Sequence, residues 1–315
     1  MGEDLFWAVR GGGGASFGVI ISWKIRLVHV PPTVTVFTVH KTLEQGAAKL
    51  IHRWQYIAHK LHEDLFIRVI VQIINGEKTH GAKSLKVGFN SIFLGSIEDL
   101  IPLMNESFPE LGLTTNDCTE MTWIESILYF VGYYPQGTPI DVLLNRTNQD
   151  QSFFKAKSDF VKTPIPEKAL KRILKWYLKE QTAFMIMDPF GGRMSEISEF
   201  ATPFPHRDGN LYNIQYLVKW VENGDKAPQK HLHWIRKLYR YMSPYVSNSP
   251  RAAYLNYRDL DLGTNGHGSN ISLSRAVVWG RKYFNKNFER LALVKGKVDP
   301  DNFFRNEQSI PPLFP

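Results

Sequence analysis

Two stretches, residues 65–74 and 85–94, constrain the fold more than any other feature of this sequence. Both are rich in Val, Ile and Phe, and polar residues around Asn75-Gly76 mark a turn between them. Side chains alternate between the two faces of a strand, and so short a connection cannot carry a parallel crossover, so the pair reads as antiparallel neighbours. Further strands are expected at Val34–Lys41, Ala183–Met187, Leu211–Val221 and Ala252–Leu260. Between them, Ala47, Leu50, Ile51, Trp54, Ile57, Ala58 and Leu61 recur at helical spacing within Glu44–Leu61. Ser96-Ile97-Glu98-Asp99 approximates a capping box that opens a helix toward Phe108. Other helices are expected over Glu120–Val131, over Glu167–Gln181 after Pro164 and Pro166, near His231–Met242, and over Ser274–Leu291. The order mixes strands and helices with hairpin-like neighbours and has no repeats. It predicts an α+β fold, an antiparallel sheet with helices on one side, over a doubly wound parallel sheet.

The two ends read as a separate unit. Glu3–Val9 is an expected short helix, Gly11–Gly14 ends it, and Val19–Val28 alternates as a strand with Ile21, Trp23, Ile25 and Leu27 on one face. Pro31-Pro32 closes that unit, which gives expected boundaries at 1–31, 32–263 and 264–315, the last segment returning to the first. The apolar run Leu5-Phe6-Trp7-Ala8-Val9 stands within the first residues, where chain ends are usually polar, so the sequence is expected to begin in mid-domain.

Charge narrows the function classes. The formal charge is +8, and the densest basic cluster, Lys168, Lys171, Arg172 and Lys175, has the spacing of one helix face. With no zinc-finger spacing and no aromatic-basic ribonucleoprotein signature, that cluster reads as a solvated face rather than a nucleic-acid surface. Cys118 is the single cysteine, so an internal disulfide is ruled out, and it reads as buried rather than reactive. No apolar stretch reaches the roughly 20 residues that span a bilayer. The opening Met-Gly-Glu-Asp is not a signal peptide, and Phe6 stands where myristoylation wants Ser or Thr. Sequons at Asn105, Asn145 and Asn270 hint at secretory handling.

Several motifs admit two readings. Aromatics make up 13% of the chain, which suits a ring-lined pocket and an aromatic core equally. The run Gly11-Gly12-Gly13-Gly14-Ala15-Ser16-Phe17-Gly18-Val19 could let backbone amides approach a phosphate. A dinucleotide fingerprint, however, needs strand, turn, helix in that order; here the helix comes first, and local physics slightly favours a plain connection. His59-x-x-His62-Glu63 and His231-x-His233 lack a third ligand and read as surface or hydrogen-bonded histidines, so no metal is expected. Neither a nucleophile elbow nor a phosphate-binding loop is present. In Tyr254-Leu255-Asn256-Tyr257-Arg258, strand alternation would put Tyr254, Asn256 and Arg258 on one face and Leu255 and Tyr257 on the other. A phenol with pKa near 10 becomes a base only beside a cation or strong donor, and the bland reading is a half-buried strand with satisfied hydroxyls. The amides of Asn210-Leu211-Tyr212-Asn213-Ile214-Gln215-Tyr216 could orient a ligand or bridge strands.

Taken together, these stretches resemble the berberine bridge enzyme-like oxidases, a plant branch of the vanillyl-alcohol-oxidase fold. The resemblance is carried by Asp4-Leu5-Phe6-Trp7-Ala8-Val9-Arg10 with the glycines that follow, by Phe190-Gly191-Gly192 with Glu196-Ile197-Ser198-Glu199, and by Thr202-Pro203-Phe204-Pro205-His206-Arg207. The tyrosine segment and the tail Val298-Asp299-Pro300-Asp301-Asn302-Phe303-Phe304-Arg305-Asn306-Glu307-Gln308-Ser309-Ile310-Pro311-Pro312 complete it. It runs in order from Asp4 to Pro312.

The resemblance implies an FAD-dependent two-electron oxidation of a small plant metabolite (alkaloid, phenolic, monolignol or carbohydrate), with hydride passing to the flavin and oxygen reoxidising it to hydrogen peroxide. It implies Tyr257 as the catalytic base, and Asn213, Gln215, Asp188 and Arg68 at the substrate, Arg68 stabilising a tyrosinate. Where relatives carry a carboxylate or lysine, Asn213 cannot act as a base, which points to a tyrosine-based variant. Gly12, Gly13, Gly14, Gly18, Val19, Tyr254 and Asn256 are implied flavin contacts, so the family favours the cradle reading of the glycine run. Implied partners are the small-molecule substrate and oxygen, with no nucleic acid and no membrane. The full-length relative would be a monomer, secreted or in the cell wall or vacuole. Family members tether the flavin ring through a histidine and a cysteine in an N-terminal region, and nothing in this sequence matches it. A C-terminal piece is therefore expected, with a non-catalytic small-molecule-binding remnant or a truncated product as the alternative.

Overall fold

The computed structural model describes residues 2–75, 83–132, 137–147, 151–180, 182–224, 226–266 and 273–314. The sequon at Asn270, the turn residue Gly76 and the helix end at Gln181 lie outside them. The described strands are β1 (Val34–Thr42), β2 (Leu65–Asn75), β3 (Lys83–Phe93), β4 (Cys118–Met121), β5 (Phe153–Val161), β6 (Ala183–Pro189) and β7 (Tyr212–Trp220). They form one sheet in the order β4-β1-β3-β2-β6-β7-β5, with every neighbouring pair antiparallel. The chain is thus α+β, as the hairpin pattern predicts.

Helices α1 (Glu3–Val9), α2 (Ala47–Ile57), α3 (Ile97–Ser107), α4 (Trp123–Val131), α5 (Glu167–Tyr177), α6 (Arg193–Glu196), α7 (Lys226–Met242), α8 (Leu273–Phe284) and α9 (Asn287–Val298) complete the regular structure. Ser96 caps α3 by accepting from the Asp99 amide at 3.2 Å, the interaction the capping pattern predicts. One face of the sheet is sealed by α2, α5 and α7. Ile67, Val69 and Val71 of β2 point into it fully buried, as do Trp54, Ile173, Leu174, Ile235 and Leu238 from the helices, none more than 1% exposed. Each such side chain contributes about 1.5–3 kcal/mol on burial. The Trp54 indole also donates to the Ile67 carbonyl at 2.9 Å, so its ring is buried with its polar atom satisfied. The alternate residues Phe66, Arg68, Ile70 and Gln72 stay half-exposed on the opposite face. A smaller cluster joins both ends of the chain: Trp7, Ala8 and Phe17 pack with Trp279, Phe288, Leu291 and Ile310.

Three expectations fail for physical reasons, and one long strand, β5, is unexpected. Residues 19–28 make no strand, because no described segment offers them a ladder, and Ile21 and Leu27 stay 91% and 83% exposed. Residues 252–260 are not a strand either: their amides bond the Lys282 carbonyl, the Ser158 hydroxyl and the Tyr283 hydroxyl instead of a neighbouring ladder. The long helix over 274–291 splits into α8 and α9 at Asn285, which adopts φ 48°. Conversely, β5 carries no strand pattern in the sequence, because Lys157 and Asp159 occupy its buried face.

Candidate active site

The half-exposed sheet face gathers polar side chains into one row. Register pairs Thr38 with Asn90, Asn90 with Arg68, Asp188 with Asn213 and Asn213 with Phe160. Val69 pairs with Met187, which brings Arg68 beside Asp188. The guanidinium meets one carboxylate oxygen through Nε and an Nη nitrogen, both at 2.8 Å. Their side chains are 29% and 17% exposed, so water screens the pair only in part. Burial raises the Asp188 carboxyl above its ordinary range, and Arg68 opposes that rise. In the next row, Gln215 pairs with Ile186 on one side and Ser158 on the other. Asn213 is buried and Gln215 half-exposed. At the β1 side, α4 closes over the row: the hydroxyls of Tyr129 and Thr38 share a hydrogen bond, and Phe130 lies 5.9 Å from the Arg68 guanidinium.

The opposite side is walled by the segment 251–263. The Tyr254 amide donates to Ser158 Oγ at 2.8 Å. Residues 255–257 then form a single 3-10 turn, and residues three apart eclipse in that geometry. Tyr254 and Tyr257 therefore share one side, rings edge-on with centroids 5.0 Å apart, where strand alternation would have separated them. The Asn256 amide donates to the Tyr254 hydroxyl at 2.7 Å. Burial pushes the Tyr257 phenol up to about 12, the negative charge of Asp188 adds to it, and Arg68 pulls against it. At neutral pH the site thus presents a protonated phenol, an ion pair and two amides, a set suited to polar oxygens on a small organic molecule.

A buried ionic clamp fixes this wall. Lys157, 2% exposed, donates to Asp259 at 2.6 Å and to Asp261 at 2.8 Å, while Lys155 reaches Asp259 at 2.5 Å. Arg251 grips Asp159 with two bonds of 2.6 Å, and Gln308 donates to the Asp259 and Gly263 carbonyls. Sequence reasoning missed all of these residues. The available signal was a pair of lysines two apart facing a pair of aspartates two apart.

The glycines divide in role. A Cβ on Gly12 would sit 2.6 Å from the Ala8 carbonyl oxygen and 2.7 Å from Leu291, so this glycine serves helix packing. Gly13, at φ 90°, lies against Leu255 of the tyrosine turn. Gly14 and Gly18 face open space. Gly13, Gly14, Phe17, Gly18 and Val19 line a cavity of about 400 Å³. The structure thus unites Tyr257, Tyr254, Asn256, Asp188, Arg68, Asn213 and Gln215 around one floor, and sets Gly13 at its edge. Among the described residues, no group of three His, Cys, Asp or Glu side chains could hold a metal ion. Cys118 lies in β4, half-buried, with its thiol raised to about 11 by burial and by Asp117.

Comparison with known proteins agrees with this architecture. The family profile described as "Berberine and berberine like" matches residues 253–311. Berberine bridge enzyme-like 23 of Arabidopsis thaliana is 57% identical over 314 residues, covering 99% of this chain and 57% of that protein. Tetrahydroberberine oxidase of Argemone mexicana is 50% identical over 315 residues, again 99% of this chain and 57% of the relative. The crystal structure of Phl p 4, a grass pollen allergen with glucose dehydrogenase activity, superimposes with a TM-score of 0.92 at 47% identity, covering 100% of this chain and 62% of that one. The chain thus spans less than two thirds of the length of these relatives.

Proposed function

Because this chain belongs to the berberine bridge enzyme-like family, we propose that its half-exposed sheet face is the substrate side of an FAD-dependent oxidase of a small plant metabolite. The observation that carries the reading is the convergence of Tyr257, the Arg68–Asp188 pair, Asn213 and Gln215 beside a glycine edge. Relatives are named for oxidation of an alkaloid, a monolignol and a sugar, so the substrate class stays at small alcohols and amines of that kind. Secretion to the cell wall or vacuole is part of the same proposal, supported by the exposed Asn105 and Asn145 sequons.

The residues present fit one wall of a flavin site. Gly13 is held at positive φ, Gly14 and Gly18 leave room where a side chain would stand, and Val19 adds an apolar contact. Gly13, Gly14, Gly18, Tyr254 and Asn256 would hold the group. FAD, when bound, supplies the two-electron acceptor of the oxidation. This chain's residues prepare the substrate. Asn213 and Gln215 orient its oxygens, and Tyr254 and Phe204, with ring centroids 5.7 Å apart, help keep water from the wall. Tyr257 Oη would receive the substrate proton as its phenolate, and how readily that form arises is set by burial and by the balance of Arg68 and Asp188. A phenol held near 12 stays protonated at neutral pH and cannot take up a proton, so turnover requires Arg68 to face Tyr257 more than Asp188 does and so favour the phenolate. In the flavin-loaded protein, Tyr257→Phe should lower turnover by roughly 10²–10⁴ with FAD content unchanged. Unchanged turnover would remove Tyr257 from the role of base.

A further inference from the structure

The outer surface of the helical layer is charged in one sign. α5 and the turn after it expose Lys168, Lys171, Arg172, Lys175 and Lys179, and α7 exposes Lys226, Lys230, Arg236, Lys237 and Arg240. Within these segments the only acids are Glu167, paired with Lys171 at 2.6 Å, and the buried Glu180, and from outside them Asp261 pairs with Arg236 at 2.7 Å. These two segments hold 10 of the 38 basic residues and 2 of the 30 acidic ones. The whole formal charge of +8 therefore sits on them, and the rest of the chain is balanced. The helices are neighbours: Trp176 packs on Tyr241 and Tyr177 on Trp234, each with ring centroids 5.5 Å apart. Lys168, Arg172, Lys175, Lys230, Lys237 and Arg240 make no ion pair among the described residues. Clustered like charges repel one another and set up a positive potential that attracts polyanions.

We propose that this face binds a linear polycarboxylate, an acidic polysaccharide of the uronate type. Two other polyanions fit less well. Single-stranded nucleic acid is held by bases stacking on exposed rings, and here the rings of α5 and α7 are turned onto one another. A bilayer surface needs apolar side chains among the basic ones, yet every strongly exposed large hydrophobic residue lies outside both helices. Seven of the ten cations are lysines, point charges without the fork by which arginine clasps a single carboxylate or phosphate, so the face suits single charges spaced along a polymer. The surface covers the sealed side of the sheet, so an anchored chain would keep its half-exposed face free. The inference is independent of the reaction proposed for that face.

The test measures binding of residues 1–315 to immobilised sodium polygalacturonate at about 50 mM salt and upward. Binding should weaken steeply with salt and vanish on the fully methyl-esterified polymer. A variant with Lys168→Gln, Lys175→Gln, Lys230→Gln and Lys237→Gln should lose at least roughly tenfold in affinity, with its circular dichroism and melting unchanged. A variant neutralised at Lys24, Lys60, Lys286 and Lys297, all exposed and outside both helices, should bind like the parent. No binding at the lowest salt, or equal loss in both variants, overturns the proposal. Equal or tighter binding to a single-stranded polynucleotide or to phosphatidylserine vesicles overturns the choice of partner.

Discussion

Replacing Asp188 by Asn tests how the site sets the basicity of Tyr257. In the parent chain the carboxylate both repels a tyrosinate and occupies the Arg68 guanidinium at 2.8 Å. The substitution removes the repulsion and leaves Arg68 free to face the phenol. Both changes favour the charged form, so the pKa must fall. A cation newly available within about 4–6 Å moves a neighbouring group by roughly 1–3 units. From about 12 in the parent, the phenol should then titrate at roughly 9–11. NMR of tyrosine labelled at Cζ reads this directly, with the resonance assigned by its loss in Tyr257→Phe. The parent signal should keep its phenol position through about pH 10.5, while the variant signal moves toward tyrosinate. Arg68→Gln should act oppositely and hold the phenol protonated still longer. An unchanged or raised pKa in Asp188→Asn would refute the coupling, because no arrangement of these two charges can give that result.

Lys157→Met leaves Asp259 and Asp261 short of a buried cation, and should cost roughly 3–5 kcal/mol in urea denaturation. A loss under about 1 kcal/mol would mean that Lys155 and Arg236 hold the loop alone. Gly12→Ala drives a Cβ into the Ala8 carbonyl and Leu291 and should cost roughly 1–3 kcal/mol, whereas Gly14→Ala, facing open space, should stay within about 0.5 kcal/mol. Equal melting shifts would contradict that division. Burial depresses His206 to about 4, so the folded state stays neutral while the unfolded chain takes up a proton near 6.5. Stability should be full above that upper value and decline by about 3 kcal/mol as pH falls to the lower one. His206→Gln should flatten that slope, and a parent chain with no slope would remove the linkage.

The sequence by itself determined the elements whose pattern is local. Alternation in 65–74 and 85–94 fixed a hairpin pair and a buried face, because a strand's side-chain period is set by its own backbone. Helical spacing placed Trp54 and Leu50 inward, and the Ser96 cap declared the start of α3. The family motifs named the residues of the candidate site, but their geometry was beyond local pattern. Tertiary structure decided that 252–260 would turn rather than extend, because Ser158, Lys282 and Tyr283, all distant in sequence, satisfy its amides. It also turned a charged segment into β5: Lys157 and Asp159 can be buried only because Asp259, Asp261 and Arg251 arrive from roughly a hundred residues away to pair with them. Burial of a charge depends on partners that no local window contains, and here those partners decide where Tyr257 stands.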